Sequence, residues 1–345
     1  MKIAHINLAR GYRGGERQTQ LLIESLCGVG SIEQQFVGAR KGVLVDKLPL
    51  PPTSSSRVGR PYLLNASAVK GADLLHVHEG KAGHFALMAH LRYGIPYIIT
   101  RRVPNSPKNN FFTHRVYQQA TRIVAISNAI KSYMHEYDAD LAIDVIPSMM
   151  SGLGIDEQNV AHLREQFKGK FIVGHIGALV NHHKGQQYII EAAKRLQTSH
   201  PDIHFLLLGS GKDERMLKEM ATGLSNVTFT GFVDCVGDYL DLFDIFVFPS
   251  LEEGLGSILL DVMNASCPII ASNVDGIPDL IRAEDTGILI PPKDSEALGM
   301  RILDLYRSEA LRDSLAKNAY LFAQSYSPAQ LSLRYLGLYK EILDR

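Results

Sequence analysis

The sequence predicts an α/β protein built as two Rossmann-like domains, each a parallel sheet wrapped by helices. Three observations predict it. Short runs rich in β-branched residues alternate with helical patterns along the whole chain, as strands joined by crossover helices do. Runs such as Phe205 to Leu208 and Ile245 to Phe248 are apolar throughout rather than alternating, so they belong to strands covered on both faces. The chain has 345 residues, beyond the length at which one hydrophobic core usually stops growing, so the theme is expected twice.

In the first half, strands are expected at Lys2 to Asn7, Gln34 to Gly38, Asp73 to Val77, Pro96 to Thr100, Arg122 to Ala125 and Ala142 to Ile146. Helices fit between them at Glu16 to Leu26, Gly83 to Arg92 and Asn128 to Glu136. The segment Pro49 to Arg60, with three successive serines and three prolines, reads as a surface loop. Residues 1–150 thus form a first domain. SMMSGLGID has neither helical nor strand period, and residues 151–169, including a helical piece at Glu157 to Phe167, are expected to link the domains. A second domain, 170–326, has strands near Phe171 to His175, His204 to Gly209, Val227 to Thr230, Ile245 to Phe248, Pro268 to Ala271 and Thr286 to Ile290. Last, Tyr326 to Asp344 reads as a helix with Leu331, Tyr335, Leu338, Tyr339 and Ile342 on one face, opened by Ser327 and Pro328.

Composition narrows the function. Hydrophobic residues at 46% and charged residues at 21% are ordinary for a globular protein, and no apolar run approaches the roughly 20 residues of a membrane-spanning helix. The apolar stretch from Ile3 meets Arg10, Arg13, Glu16 and Arg17 before it forms a signal-peptide core, so a cytoplasmic location is expected. Cys27, Cys235 and Cys267 lie far apart without metal-ligand spacing, and neither a disulfide framework nor a zinc site is expected. The DAD triplet at Asp138 and Asp140 reads as a solvated turn. Zero net charge argues against nucleic acid as a partner. Residues 1–150, however, carry 18 Lys+Arg against 10 Asp+Glu, a net +8 balanced by −8 in the remainder. Either that half meets something anionic, or the charges are solvated faces.

Ligands of open parallel sheets bind at the carboxyl ends of the strands. The first such loop, ARGYRGGER from Ala9, combines three glycines with three arginines, which suit close backbone approach and planar contacts to phosphate or carboxylate. GSGKDE from Gly209 lacks the third glycine of a dinucleotide fingerprint, and no GxxxxGK[ST] stretch exists. The most informative stretch is FPSLEEGLGSILLDVMNASCPIIAS, from Phe248. A buried strand ends, Glu253 and the glycines form a tight turn, and the following helix presents Asp261 eight residues after Glu253. Two carboxylates so spaced can contact opposite ends of one polyhydroxyl ligand, while Gly254 and Gly256 offer N–H groups to an anion.

This stretch resembles the donor-binding segment of family 4 retaining glycosyltransferases (glycosyl transferases group 1) of the GT-B fold, whose pattern is E-G-x-G within an E-x7-E spacing. Other matches follow in order: Gly14, Gly15, Glu16 and Arg17, DLLHVH from Asp73, Ala125 to Asn128, VIP at Val145, HIGALVNHHKGQQYIIEA, LLLGSGKDE and FTGFVDCVGDYLDLFDIFVFPS. The resemblance covers almost the whole chain.

It implies the GT-B architecture, two Rossmann-like domains with parallel sheets facing across a cleft, and a closing helix, 327–345, that packs back on the first, acceptor domain. It implies transfer of a sugar with retention from a nucleotide-diphosphate sugar, a UDP-sugar first of all, to a hydroxyl of a glycan, phosphorylated or lipid-linked acceptor. The setting would be lipopolysaccharide, capsule or a related cell-surface glycan, with peripheral inner-membrane association and neither metal nor other cofactor. In this reading Glu253 holds donor-sugar hydroxyls, Gly254, Leu255 and Gly256 support the sugar or its phosphate, and Asp261 meets the ribose. Lys184, at the start of a helix, neutralises the diphosphate. Gly14 and Gly15 close the phosphate site, Gly231, Phe232 and Val233 flank the base, and Arg10, Arg13, Arg17 and Arg101 serve acceptor or phosphate. Three departures stand out. The second acid is Asp261 rather than Glu. Ala178 stands where many members have Arg. Thr100, Arg101 and Arg102 replace a T-x-H near the reacting carbon, making Arg102 the positional replacement for that His, with His78 a further candidate. The alternatives are a GT-B nucleotide-sugar epimerase or phosphorylase, and a catalytically silent nucleotide-sugar-binding protein.

Overall fold

A computed structural model describes residues 1–344. Every strand expected from the sequence forms, and all pair in parallel. The chain divides into two units, Met1–Ser151 with the described residues from Tyr326 onward, and Gly152–Ser325.

The first unit holds β1 (Lys2–Asn7), β2 (Glu33–Ala39), β3 (Ser55–Val58), β4 (Leu74–Val77), β5 (Tyr97–Arg101), β6 (Arg122–Ala125) and β7 (Ile143–Val145), in the order β3-β2-β1-β4-β5-β6-β7. β3 corrects the reading of Pro49 to Arg60 as loop. Four residues at a sheet edge need only one neighbour, and Ser55 to Val58 pair with Phe36 to Ala39, so a serine-rich segment suffices. Four helical segments of this unit also lie outside the sequence expectations: the helix Phe111–Gln118 and the 3-10 stretches Leu44–Lys47, Pro52–Ser54 and Tyr62–Val69.

The first helix begins at Gly14, two residues earlier than expected, with the Arg13 N–H donating to Glu16 Oε2 at 3.0 Å. Ser127 and Ser327 cap the N-termini of Asn128–Tyr137 and Pro328–Leu343. The latter helix buries Leu331, Tyr335, Leu338, Tyr339 and Ile342 in a cluster with Ile3, Leu22, Leu74, Ile98 and Val124. The periodicity that marked this face leaves its partner open, and the structure supplies it: β1, β4, β5, β6 and the Gly14–Leu26 helix.

The second unit holds β8 (Phe171–Ile176), β9 (Ile203–Leu208), β10 (Val227–Gly231), β11 (Ile245–Phe248), β12 (Ile269–Ser272) and β13 (Ile288–Ile290), in the order β10-β9-β8-β11-β12-β13. Val173, Phe205, Leu207, Ile245, Val247, Ile270 and Ile288 form an aliphatic core with the helices Gln186–Leu196 and Ser295–Arg307. Of residues 151–169, expected as a linker, all but Ser151 belong to this unit. The Glu157–Gln166 helix buries Val160 and Leu163, and the Asp156 N–H and Asn159 amide donate to the Asp238 carboxylate, each at 2.7 Å. A helix that buries Val160 and Leu163 and is anchored by the buried Asp238 is part of its domain, and the absence of a strand there is a poor guide to a boundary.

Candidate functional site

Each sheet reverses its strand order at one point, and the loops leaving the two strands that flank it diverge, opening a crevice at their carboxyl ends. In the second unit the reversal lies between β8 and β11. The loop after β8 carries Lys184 and the loop after β11 carries Glu253, so two residues nominated from distant stretches of sequence meet at the switch point.

Their meeting has a local cause. Lys184 does not open a helix, as expected, but ends the short helix Asn181–Lys184; Gly185 follows at φ +64°, and Gln186–Leu196 starts anew. Only glycine fits there, because a Cβ would lie 2.2 Å from the Pro249 carbonyl oxygen. The reversal lays the two loops against each other: the Leu251 N–H donates to the His183 carbonyl at 2.7 Å, and His183 Nδ1 lies 2.9 Å from Glu252 Oε2. Lys184 Nζ then donates to Glu253 Oε2 and sits 5.1 Å from the centre of the Phe248 ring. Glu253 is further held by its N–H, which donates to Asp275 Oδ2 at 2.9 Å, and by its carbonyl, which accepts from the Gly276 N–H at 3.3 Å.

His175, inside β8, ties this frame together. Burial pulls its pKa down to about 4, against a smaller opposing effect of the Val247 carbonyl; Lys184 pushes in the same direction as burial. It is therefore neutral at pH 7. Its Nδ1–H donates to the Val247 carbonyl at 3.0 Å, which leaves Nε2 to accept from Gln186 Nε2 at 3.4 Å. β8, β11 and the Gln186–Leu196 helix are thus joined by one ring. No sequence pattern singled it out; its signal was only a histidine in an otherwise apolar strand.

Beyond Glu253, Gly254, Leu255 and Gly256 are buried, and Gly256 takes φ +79°. The following helix runs Ile258–Asn264, starting later than the spacing argument assumed. Asp261 lies in its first turn, 7% exposed, so its relation to Glu253 is set by the glycine turn rather than by helical register. Gly231 ends the edge strand β10 at φ +74°, and Phe232 beside it is 74% exposed; Val233 is half-buried. This group stands two strands away from β8.

In the first unit the switch point lies between β1 and β4. His5 and His76 are partners in register, and His78 follows two residues on, so all three project from one sheet face. His5 Nδ1 lies 3.0 Å from His78 Nε2, while His76 engages the Tyr339 hydroxyl and the Thr100 hydroxyl, each at 2.7 Å. Burial lowers the pKa of all three, that of His5 to about 4, and the nearby Arg102 guanidinium adds to the lowering at His76 and His78. Arg102 is half-buried, with its Nε shielded from solvent, and desolvation lowers its pKa against the opposing effect of Tyr335 and Glu16. Its Cδ lies 3.6 Å from where a Cβ on Gly15 would be, so its stem runs beneath the first turn of the Gly14–Leu26 helix.

The three histidines each offer a nitrogen within 4.8 Å of the others, the metric of a loose metal site. A cation there would break the His5–His78 contact or one of the two hydroxyl bonds of His76, beside the Arg102 guanidinium. The set is better described as a neutral hydrogen-bonded network, with His5 Nε2, His78 Nδ1 and Arg102 Nε left without partners.

The remaining arginines divide. Arg17 donates to the Ser151 carbonyl at 3.1 Å, and Arg101 donates to the Tyr117 hydroxyl at 3.1 Å and Asn105 Oδ1 at 2.6 Å. Both are engaged in holding their own domain together. Arg10 and Arg13 are exposed. Glu79, which the sequence reading passed over, caps the Gly80–Tyr93 helix through the Lys81 and Ala82 N–H groups at 2.8 and 2.9 Å. It also accepts from the Leu8 N–H at 3.3 Å, joining the two loops at the switch point.

Comparison with known proteins gives this arrangement its class. The structure is similar to that of HepE from Anabaena, solved in complex with UDP, at a TM-score of 0.86 and 18% identity over 99% of this chain and 100% of that one. The fold is GT-B, with two parallel-sheet α/β domains. In sequence, the chain is 25% identical over 304 residues to an uncharacterized glycosyltransferase of Methanocaldococcus jannaschii, covering 83% of this chain and 82% of that protein. It is 24% identical over 362 aligned positions to the phosphatidyl-myo-inositol mannosyltransferase of Mycobacterium leprae, covering 99% and 91%. Residues 170–308 match the family described as Glycosyl transferases group 1, and residues 7–148 match the Glycosyl transferase 4-like domain. The chain belongs to the group 1 glycosyltransferases, and it is a glycosyltransferase.

Proposed function

We propose that this glycosyltransferase takes a sugar from a nucleotide-diphosphate sugar, a UDP-sugar in the first instance, and delivers it to an acceptor hydroxyl with retention at the anomeric carbon. The observation that carries the reading is the Lys184–Glu253 pair at the β8/β11 switch point. A lysine and a carboxylate held side by side address neighbouring parts of one ligand. The ammonium meets a phosphate, and the carboxylate accepts hydrogen bonds from sugar hydroxyls.

The roles follow. Lys184 stabilises the charge that develops on the departing diphosphate, an electrostatic contribution of several kcal/mol when preorganised. Glu253 orients the sugar, the Gly254 to Gly256 turn lets its ring or phosphate approach the backbone, and Asp261 accepts from the ribose. The first unit offers phosphate-binding groups of its own, the N–H groups at the start of the Gly14–Leu26 helix and the Arg102 guanidinium. His78 stands behind Arg102 as an uncharged neighbour. With these cations and dipoles no metal is required. The leaving phosphate oxygen accepts the proton of the incoming hydroxyl, so attack occurs on the face it vacates.

The HepE complex with UDP and the phosphatidylinositol acceptor named for the Mycobacterium leprae relative support a nucleotide donor and a lipid-linked or phosphorylated acceptor of the cell surface, in lipopolysaccharide, capsule or a similar glycan. No helix among the described residues is long and apolar enough to cross a membrane. The reading puts the reaction in the cytoplasm at the inner-membrane face, and the exposed Leu64, Phe111 and Phe112 of the first unit suit that surface.

A thermal-shift panel of nucleotide-diphosphate sugars on the parent, Glu253→Ala and Lys184→Ala tests the site. UDP-sugars should stabilise the parent, and both variants should lose that shift, together with roughly 10²–10³-fold in turnover. Unchanged shifts in both would remove the assignment. The anomeric configuration of the product, read by NMR, decides retention.

A further inference from the structure

The first unit contains a second concentration of unpaired positive charge, separate from the Arg102 network. β3, β2 and β1 are adjacent and parallel, so the loops leaving their carboxyl ends stand side by side. Each brings cations: Arg10 after β1, Arg40 and Lys41 after β2, and Arg60 after β3. All four are exposed and line one cavity of about 200 Å³, floored by the buried Ala39 and Val58 and walled by Tyr62.

The backbone beneath them is fixed. The Arg40 N–H donates to the Val58 carbonyl at 2.9 Å, and the Gly42 N–H to the Ala39 carbonyl at 2.8 Å. A Cβ on Gly42 would lie 2.8 Å from the Ala9 carbonyl oxygen, so this turn presses on the loop that carries Arg10. The one carboxylate anchored at this edge, Asp46, is already paired with Arg57, whose other nitrogen donates to the Gly42 carbonyl at 3.0 Å. Among the described residues no carboxylate pairs with Arg10, Arg40, Lys41 or Arg60. No carboxylate of the protein neutralises this rim, so an anion placed in the cavity would interact favourably with four like charges at once.

We infer that this cavity is an anion subsite that takes a phosphate group of the acceptor. Its volume is below the roughly 300–1,000 Å³ that encloses a whole small ligand, which matches a charged headgroup whose remainder lies outside. Arginine forks at three neighbouring loops suit a phosphate's several oxygens. The inference rests on the glycosyltransferase reading for the word acceptor, and on the cavity alone for the anion. Lipid and soluble acceptors share this chemistry, since either can carry a phosphate monoester.

The test uses glycerol 3-phosphate, with glycerol as its uncharged control, titrated calorimetrically into the full chain, the Arg40→Gln/Arg60→Gln variant and a Lys70→Gln/Lys108→Gln variant. The last removes two exposed charges of the same unit outside the cavity. A parallel arm measures cosedimentation with phosphatidylcholine vesicles with and without phosphatidic acid. A tenfold or greater loss for Arg40→Gln/Arg60→Gln alone, with its unliganded melting temperature intact, supports the subsite. If the loss appears with glycerol 3-phosphate, the source is soluble; if only with phosphatidic acid vesicles, it is a lipid headgroup. Equal losses in both double variants, no loss, or no binding in either arm overturn it. UDP is titrated into the parent alongside. Phosphate binding that depends on Arg40 and Arg60 without UDP binding would strike the donor reading and leave the anion subsite standing.

Discussion

The two units share a fold plan and differ in what they bury at the switch point. In the second, the sheet face around His175 is mainly aliphatic, and the candidate side chains sit on loops shaped by glycine: Gly185 beside Lys184 and Gly256 after Glu253. In the first, His5, Asn7, His76, His78 and Thr100 lie buried on the sheet itself, capped by Tyr335 and Tyr339 from the C-terminal helix. One unit thus positions its groups by backbone geometry, the other by a side-chain hydrogen-bond network. Backbone geometry tolerates no added Cβ; a neutral network tolerates no added proton.

The comparison breaks most visibly at Gly185. Gly185→Ala combines a left-handed φ with a Cβ 2.2 Å from the Pro249 oxygen, and should cost about 3 kcal/mol or more in chemical denaturation of the second unit. Lys184 should lose its place beside Glu253 at the same time. Arg102→Ala is the counterpart in the first unit. Its expected effect is a fall of about 10–100-fold in turnover with a much smaller change in UDP affinity, measured by steady-state kinetics and calorimetry. A larger change in affinity than in turnover would mean that the first unit grips the donor rather than assisting its departure.

Acid sharpens the difference. A histidine whose folded pKa lies below 6.5 is protonated first in the unfolded chain, so the unfolded state binds more protons and stability falls as pH drops from about 6.5 toward 4. The first unit buries three such rings, with Arg102, Tyr335 and Tyr339 around them, whereas the second has His175 and His204. Hydrogen exchange across this range should show protection lost from β1 and β4 at a higher pH than from β8 and β11. The smallest expected effect is that of Tyr339→Phe, which leaves His76 Nδ1 without its hydroxyl partner at about 1–3 kcal/mol, seen in the first unit only.

The same contrast explains what the sequence made legible. Both sheets could be read because buried parallel strands are continuous apolar runs, and Glu253, Gly254 and Gly256 could be read because a glycine-bounded acid after such a run has few structural uses. β3 could not, since an edge strand needs no apolar pattern. The break after Lys184 could not, because it depends on Pro249, 64 residues beyond Gly185 in the numbering. The histidine network was half visible: His78 stood out at a strand end, but that His5 pairs in register with His76, and that tyrosines near residue 340 cover them, are facts of topology. A guanidinium suits a phosphate and a carbonyl equally well, so the sequence could not show that Arg17 and Arg101 bond to Ser151, Tyr117 and Asn105 in the folded chain.

The C-terminal helix leaves one further consequence, for the order of assembly. Tyr339 reaches His76 across 263 positions, with the entire second unit encoded between them. During synthesis, Gly152–Ser325 can finish maturing while the earlier-made half still waits for its lid. A nonsense codon close to residue 326 would therefore release a chain whose later-made lobe is sound and whose first-made lobe is not.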